Sequence, residues 1–219
     1  MSLPELQTDP VPERYRGVWR RSLLATPDLR DTSTTVFWLQ TERWHADIRL
    51  PVGRPDFYGV RQLAECSAEQ LEWLRQQQGF AGVTQVDTSA NPEICSWHRV
   101  VDFQLPSATA DAGTMAFEPD VLIEKGVHAA YLEHWHKLPD SDQGFSVLRT
   151  SALSEPLRML LVAGSYVMRV REHQSGWGSD AALAAILDFE ISFGVREADG
   201  WRVLHSTLPW LEGQVFAMP

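Results

Sequence analysis

The stretch that decides the fold runs Ile186-Leu-Asp-Phe-Glu-Ile-Ser-Phe-Gly-Val-Arg-Glu197, turns at Ala198-Asp199-Gly200, and resumes Trp201-Arg-Val-Leu-His-Ser-Thr-Leu208. Two runs rich in Phe, Ile, Val, Trp and Leu around a short loop ending in Asp-Gly predict a β-hairpin, because Asp and Gly tolerate the positive φ of such turns. The same grammar recurs through the chain. Strands are expected over 14–24, 34–40, 43–50, 80–87, 94–105, 114–123, 130–138, 145–150, 158–171, 186–197 and 201–208, with turn residues between them, as at Asp140-Ser141-Asp142-Gln143-Gly144. One helix interrupts the series. Ser67 with Gln70 three residues on forms a capping box, Leu71 and Leu74 share a face, and Gly79 sits where a helix commonly ends, which places it over 67–78, across the sheet or in a barrel mouth. An Ala-rich segment over 179–185 is expected to add one helical turn.

The expected fold is mainly β: an antiparallel up-and-down barrel of about ten strands with one short helix, since strands adjacent in sequence usually pair and a long meander must close or leave edges exposed. Residues 1–13, with three prolines and no periodic pattern, read as an irregular lead-in, and 14–219 as a single barrel domain. Two smaller, partly open barrels or a sandwich form the alternative. The length of 219 residues, with 44% hydrophobic and 22% charged side chains, suits one domain with a sizeable core. Nine Trp and nine Phe serve pleated, half-buried surfaces and ligand cavities equally well.

A net charge of −10 and a pI near 5.1 argue against nucleic acid and against an anionic membrane surface. The N-terminus lacks a basic and an apolar signal region, no apolar run spans a bilayer, and Cys66 and Cys95 are expected to stay reduced. The expected location is cytoplasmic. Lys occurs only at Lys125 and Lys137, so nearly all positive charge is Arg, a bias that genome composition can produce.

At Gly17-Val18-Trp19, opening the first strand, the chain resembles the lipocalin or calycin superfamily, whose first strand carries Gly-x-Trp. The resemblance implies a Trp that closes one barrel end and packs against an Arg from the last strand, with Arg202 or Arg196 in that part here. It also implies small-ligand binding. The chain departs from secreted lipocalins in lacking a signal peptide and a long C-terminal helix, so it is more similar to an intracellular member of uncharacterised function.

Chemistry-bearing patterns are few. His134-Trp135-His136 puts two imidazoles on one strand face, but Lys137, Leu138 and Pro139 follow where a third metal ligand is needed, so they read as solvated. In 44–50, His45, Asp47 and Arg49 alternate with Trp44, Ala46, Ile48 and Leu50; in 94–104, Ser96, His98, Asp102 and Gln104 alternate with Cys95, Trp97, Val101 and Phe103. These polar sets are expected to face solvent, with a wet lumen as the alternative. Arg169 and Glu190 stand among apolar residues, either as a buried ion pair or as a ligand carboxylate site. Cys95 reads as a small core residue, and no Gly-x-Ser-x-Gly, Cys-x-x-Cys or phosphate loop is present.

The leading function is therefore a barrel that binds a small, partly apolar and even anionic ligand, with Trp38, Trp97 and Trp135 as walls and Arg49, His98, Arg169 and Glu190 as polar contacts. No cofactor or metal is expected, haem being a minor alternative. A barrel isomerase, dehydratase or hydrolase would need His45 or His98 within hydrogen-bond reach of Asp47, Glu118 or Glu133, and a pair such as Glu118 with Glu133 could then supply acid–base chemistry. A filled barrel whose aromatic surface binds a protein or a second copy as a homodimer is the third reading.

Overall fold

The computed structural model describes residues 9–104, 109–150, 157–173 and 187–218; the segment 179–185, where a helical turn is expected, lies outside them. The meander splits into two antiparallel sheets. The first comprises β1 (Gly17–Ala25), β2 (Arg30–Asp31), β3 (Thr35–Gln40), β4 (Trp44–Leu50), β5 (Gln78–Asp87), β6 (Glu93–Asp102), β7 (Asp111–Phe117), β8 (Leu122–Gly126) and β9 (Leu132–Lys137). Each main strand pairs with the next, and β9 returns to pair with β1, so eight strands close a barrel while β2 caps the end of β1 as a short extra strand. The second sheet is an open six-stranded meander of β10 (Ser146–Arg149), β11 (Arg158–Ala163), β12 (Tyr166–Arg171), β13 (Glu190–Glu197), β14 (Gly200–Ser206) and β15 (Val215–Phe216).

The antiparallel up-and-down barrel expected from the turn pattern is thus present, but closure comes at the eighth strand and the later strands form a separate sheet. Two segments expected as single long strands are hairpins. Residues 114–123 turn between β7 and β8, where Glu118 N–H donates to the Val121 carbonyl at 2.9 Å. Residues 158–171 turn at Gly164, whose φ of +57° and packing against the Asp140 backbone suit only glycine. The hairpin between β13 and β14 forms as expected, Glu197 pairing with Gly200 across a two-residue turn.

The two sheets share one core. Ala46, Ile48 and Leu50 of β4, with Phe37 and Leu39 of β3, pack outward from the barrel into a cluster that includes Met159, Leu161, Met168, Val170, Ile191 and Phe193 of the second sheet. Phe37 stacks on Phe193 with centroids 4.3 Å apart. Each such buried side chain contributes about 1.5–3 kcal/mol, which explains why an open sheet settles on the barrel wall. Helix α1 (Ala68–Leu74) adds Trp73 and Leu74 to the same core rather than to the lumen. Its capping box is formed, Ser67 Oγ accepting from Gln70 N–H and Gln70 Oε1 from Ser67 N–H. Gly79 is not its terminator: the helix stops at Leu74, and Gly79 lies in β5. There a Cβ would sit 2.9 Å from Ile191 Cδ1, so glycine is needed where the second sheet presses on the barrel. Among the described residues no helix is long and apolar enough to cross a membrane.

At the β5–β6 pairing the register shifts between Ala81 and Gly82, so that Ala81 faces Val101 and Gly82 faces Arg99. The bulge brings the strands so close that a Cβ on Gly82 would collide with the His98 carbonyl. Gly82→Ala is therefore expected to lower stability by about 2–3 kcal/mol in urea unfolding, a size typical of overpacked backbone positions; an unchanged midpoint would show that the bulge relaxes freely.

Candidate functional site

The barrel has one closed end and one end with a cavity, and the strand registers say which is which. At the closed end the chain enters through a turn of 3-10 helix, Glu13–Tyr15, and Tyr15 is fully buried beside Trp19, Cys95, Met115 and Leu122. Tyr15 donates its hydroxyl to Glu93 at 2.8 Å, and Trp19 Nε1 donates to the Tyr15 carbonyl at 2.7 Å. Burial and the bond to Glu93 push the Tyr15 hydroxyl far above its ordinary pKa. Trp19 of the Gly-x-Trp segment is buried in this end cluster. Its cationic neighbour is Lys137, Nζ 4.7 Å from the ring centre, from β9. Arg202 and Arg196 do not take that part: both lie in the second sheet, where Arg202 pairs with Glu197 at 2.6 Å, because β9, not β14, is the last strand of the barrel.

Above this floor lies a buried polar chain. Trp38 Nε1 and the Thr84 hydroxyl both donate to Gln40 Oε1, at 3.2 and 2.7 Å, while Gln40 Nε2 donates to the Thr41 carbonyl. With its only proton committed to Gln40, Thr84 Oγ1 must accept from His45 Nδ1 at 3.0 Å, which fixes the ring as the Nδ1–H tautomer. His45 Nε2 is left as a buried acceptor with no hydrogen-bond partner among the described residues. Burial, reinforced by the charge on Arg99, lowers its pKa to about 3, so the ring is neutral.

His45, Asp47 and Arg49 all point into the barrel, contrary to the expected solvent-facing placement. The usual apolar-inside rule inverts on β4 because its apolar face, Ala46, Ile48 and Leu50, is covered from outside by the second sheet. On β6 the bulge resets the alternation. Cys95, Trp97 and Arg99 face the lumen, and beyond the bulge Val101 and Phe103 enter the shared core while Asp102 bonds Arg99 at 2.7 Å. Ser96 and His98 fall on the other face, and His98 Nε2 lies 3.3 Å from Gln85 Oε1 on the outside.

The open end holds a cavity of about 300 Å³. Trp38, Trp97 and Trp135 form its wall, Trp38 meeting the other two edge-to-face with centroids 5.6 and 5.8 Å apart. Leu24, Thr26, Phe80 and the exposed Ala129 and Ala130 complete the apolar lining. A second cavity of about 480 Å³ shares Trp97, Arg99, Asp111, Ala129 and Tyr131 with it and continues toward His128, Glu172 and His173.

Charged groups cluster around the first cavity. Arg21 on β1 donates to Glu133 on β9 at 2.6 Å and to Asp31 at 3.1 Å, with only 4% of the Arg21 and Glu133 side chains exposed. Arg49 bonds Asp47 at 2.7 Å, and Arg99 bridges Asp102 and Asp111 at 2.7 and 2.6 Å while lying 3.7 Å above the Phe80 ring. Glu124 on β8 faces Glu133 directly across the β8–β9 pairing. It accepts from the Tyr131 hydroxyl at 2.7 Å and from Trp135 Nε1 at 3.0 Å, over Gly113, where a Cβ would sit 2.6 Å from Glu124 Cγ. Burial, then the charge of Glu133, raises the Glu124 pKa to about 8, so this carboxyl carries its proton at neutral pH. Burial and Glu124 in turn push the Tyr131 hydroxyl up, keeping it a donor.

Of the residues singled out from the sequence, Trp38, Arg49, Trp97 and Trp135 meet at this cavity, whereas His98, Arg169 and Glu190 do not. Arg169 and Glu190 lie on the second sheet, joined at 2.6 Å, with Glu190 also accepting from Ser192 and Arg169 3.9 Å above the Phe216 ring. Among the described residues neither His45 nor His98 hydrogen-bonds Asp47, Glu118 or Glu133, and Glu118 is exposed, so the acid–base pairs named from sequence are not assembled. His136 bonds the Asp120 carbonyl and Ser22, and no group of three His, Cys, Asp or Glu side chains among the described residues is placed to hold a metal. The sequence reading missed Glu124, Asp111, Arg99 and Arg21. Glu124 in Leu122-Ile-Glu-Lys-Gly126 and Glu133 in Leu132-Glu-His-Trp135 lie on alternating strands whose inward parity was the signal available.

The molecule is thus a closed eight-stranded antiparallel barrel with a floor, an aromatic cavity and an added sheet on its flank. It is similar to the crystal structure of the uncharacterized protein YLR301w from Saccharomyces cerevisiae, with a TM-score of 0.61 and 13% sequence identity over 87% of this chain and 84% of that one. At that identity the likeness is one of fold. No protein-family model matches the chain, and no curated protein matches it.

A group whose folded pKa lies above its unfolded value stabilises fully at low pH and loses that contribution as pH rises through the folded pKa. For Glu124 the window runs from the ordinary glutamate value near 4.3 to about 8. Glu124→Gln, which keeps the shape without the charge, is expected to gain at least about 1 kcal/mol on the wild type between pH 5 and 9 in paired urea titrations. A constant difference over that range would mean that Glu124 is ionised throughout.

Proposed function

We propose that the protein is a calycin-like binding barrel that takes a small, partly apolar organic molecule into the Trp38–Trp97–Trp135 cavity. The observation that carries this reading is the cavity itself. A packed eight-stranded barrel can fill its interior with side chains, yet here about 300 Å³ stays open between three large indole walls, the lower end of the range of ligand sites. The Trp19–Lys137 contact at the floor supports the calycin comparison, since it places an aromatic ring from the first strand against a cation from the last. A cytoplasmic setting accords with two free cysteines.

Native mass spectrometry of the purified protein, set against its denatured mass, is expected to show a noncovalent organic adduct. Leu24→Trp, which fills the rim, is expected to abolish it. A bare native mass, together with no tryptophan-fluorescence response to a panel of small neutral aromatics, would return the barrel to a structural or dimerising role.

A further inference from the structure

The charges around the cavity do not balance, and the imbalance has a sign. Three guanidinium groups, Arg21, Arg49 and Arg99, stand among six carboxyl groups, Asp31, Asp47, Asp102, Asp111, Glu124 and Glu133. Each arginine is already engaged: Arg21 by Asp31 and Glu133, Arg49 by Asp47 with Glu133 3.9 Å away, Arg99 by Asp102 and Asp111. The acceptors are not all used. Glu133 is 97% buried and lines the cavity; Arg21 takes Oε1, and Oε2 accepts no hydrogen bond from any described residue. A carboxylate oxygen that lines an aromatic cavity and takes no hydrogen bond from a described residue is free to accept one from a ligand.

We infer, building on the binding reading above, that the ligand is an organic cation, an amine-bearing molecule whose apolar body lies among Trp38, Trp97 and Trp135 and whose ammonium group meets Glu133 Oε2 beside Glu124. The anionic ligand expected from sequence is disfavoured: every arginine here is already paired with a carboxylate, and an anion would sit beside the carboxylates in excess. An ammonium group supplies what the site lacks, up to three donors to a carboxylate, and indole rings attract it further. The net charge of −10 favours the encounter of cations over anions.

The site also couples cation binding to a proton. Glu124 is faced by Glu133 and Tyr131 from the β9 side, by Asp111 from β7 and by Arg49 with Asp47 from β4. A cation next to it favours the ionised form, so binding releases the proton that burial and Glu133 hold there at neutral pH. The affinity for a cation therefore rises with pH across the range where free Glu124 is still protonated, while that for a neutral ligand does not.

The test is a calorimetric titration with three probes that share one aromatic body: 2-phenylethylamine, 2-phenylethanol and 3-phenylpropionate. The amine is expected to bind at least about tenfold more tightly than the alcohol, and the alcohol more tightly than the acid. Between pH 6 and 9 the amine's affinity is expected to rise severalfold in the wild type and to stay flat in Glu124→Gln, while measurable alcohol binding that does not vary with pH in either protein is the control for an intact cavity. Glu133→Gln is expected to bring the amine down to the alcohol; should that variant fail to fold because Arg21 loses its partner, the Glu124→Gln comparison carries the test alone. Amine and alcohol binding equally, or the acid binding best, overturns the cation and leaves the binding barrel standing. An amine affinity independent of pH overturns the role of Glu124. Binding by none of the three overturns both the cation and the cavity as a ligand site.

Discussion

Everything in this molecule depends on β9 finding β1. That pairing turns a meander into a closed cylinder, removes two sheet edges and creates an interior, and it is held across the seam by the Arg21–Glu133 ion pair. The β1–β9 register shifts between Arg21 and Leu23, beside the residue that supplies the guanidinium. A buried pair of this kind adds little net stability over an apolar isostere, but removing one partner costs about 3–5 kcal/mol. It penalises any register that leaves Arg21 without Glu133, so its contribution is to specificity of closure. Glu133 of this pair also lines the cavity, which ties the geometry of the cavity to the geometry of the seam.

The second constraint is that β3 and β4 are buried on both faces. Their outer side chains lie against the second sheet and their inner ones line the lumen, so the barrel wall is a middle layer and not a boundary with water. This arrangement frees the interior from having to be the hydrophobic core. The apolar burial that holds the fold together is gathered largely in the cluster between barrel and sheet, and the lumen can afford Gln40, Thr84, His45, Asp47 and Glu133 at almost no exposure. Gly79, with Ile191 pressed against it, marks how closely the two layers meet.

Inside the lumen the polar groups grade from a neutral chain near the floor to a charged ring at the open end. Trp38, Gln40, Thr84 and His45 are hydrogen-bonded with every proton assigned, and the low pKa of His45 keeps that layer uncharged. At the open end carboxyl groups outnumber arginines, and one of them, Glu124, relieves part of the repulsion by keeping its proton.

The chain's own pattern was enough for the strand grammar, the capped start of the helix at Ser67 and the terminal hairpin, because turn chemistry, capping and the two-residue period act over a few neighbours. It did not reveal that Glu118–Val121 and Gly164 interrupt two apparent strands, nor that Gly79 serves an interlayer contact. What only the tertiary structure decided was the sign of each alternation. A strand reads identically whether its polar face meets water or a lumen, and β4 inverts the usual choice because a sheet a hundred residues later covers its apolar face. The bulge at Arg99–Val101 brings Asp102 to Arg99 and sends Phe103 into the shared core, a reversal set by how β5 and β6 pair. For the same reason Glu124 and Glu133, nine positions apart and unremarkable in sequence, become opposed carboxyls only when β8 and β9 align, since cross-strand register is a property of the pair and not of either strand.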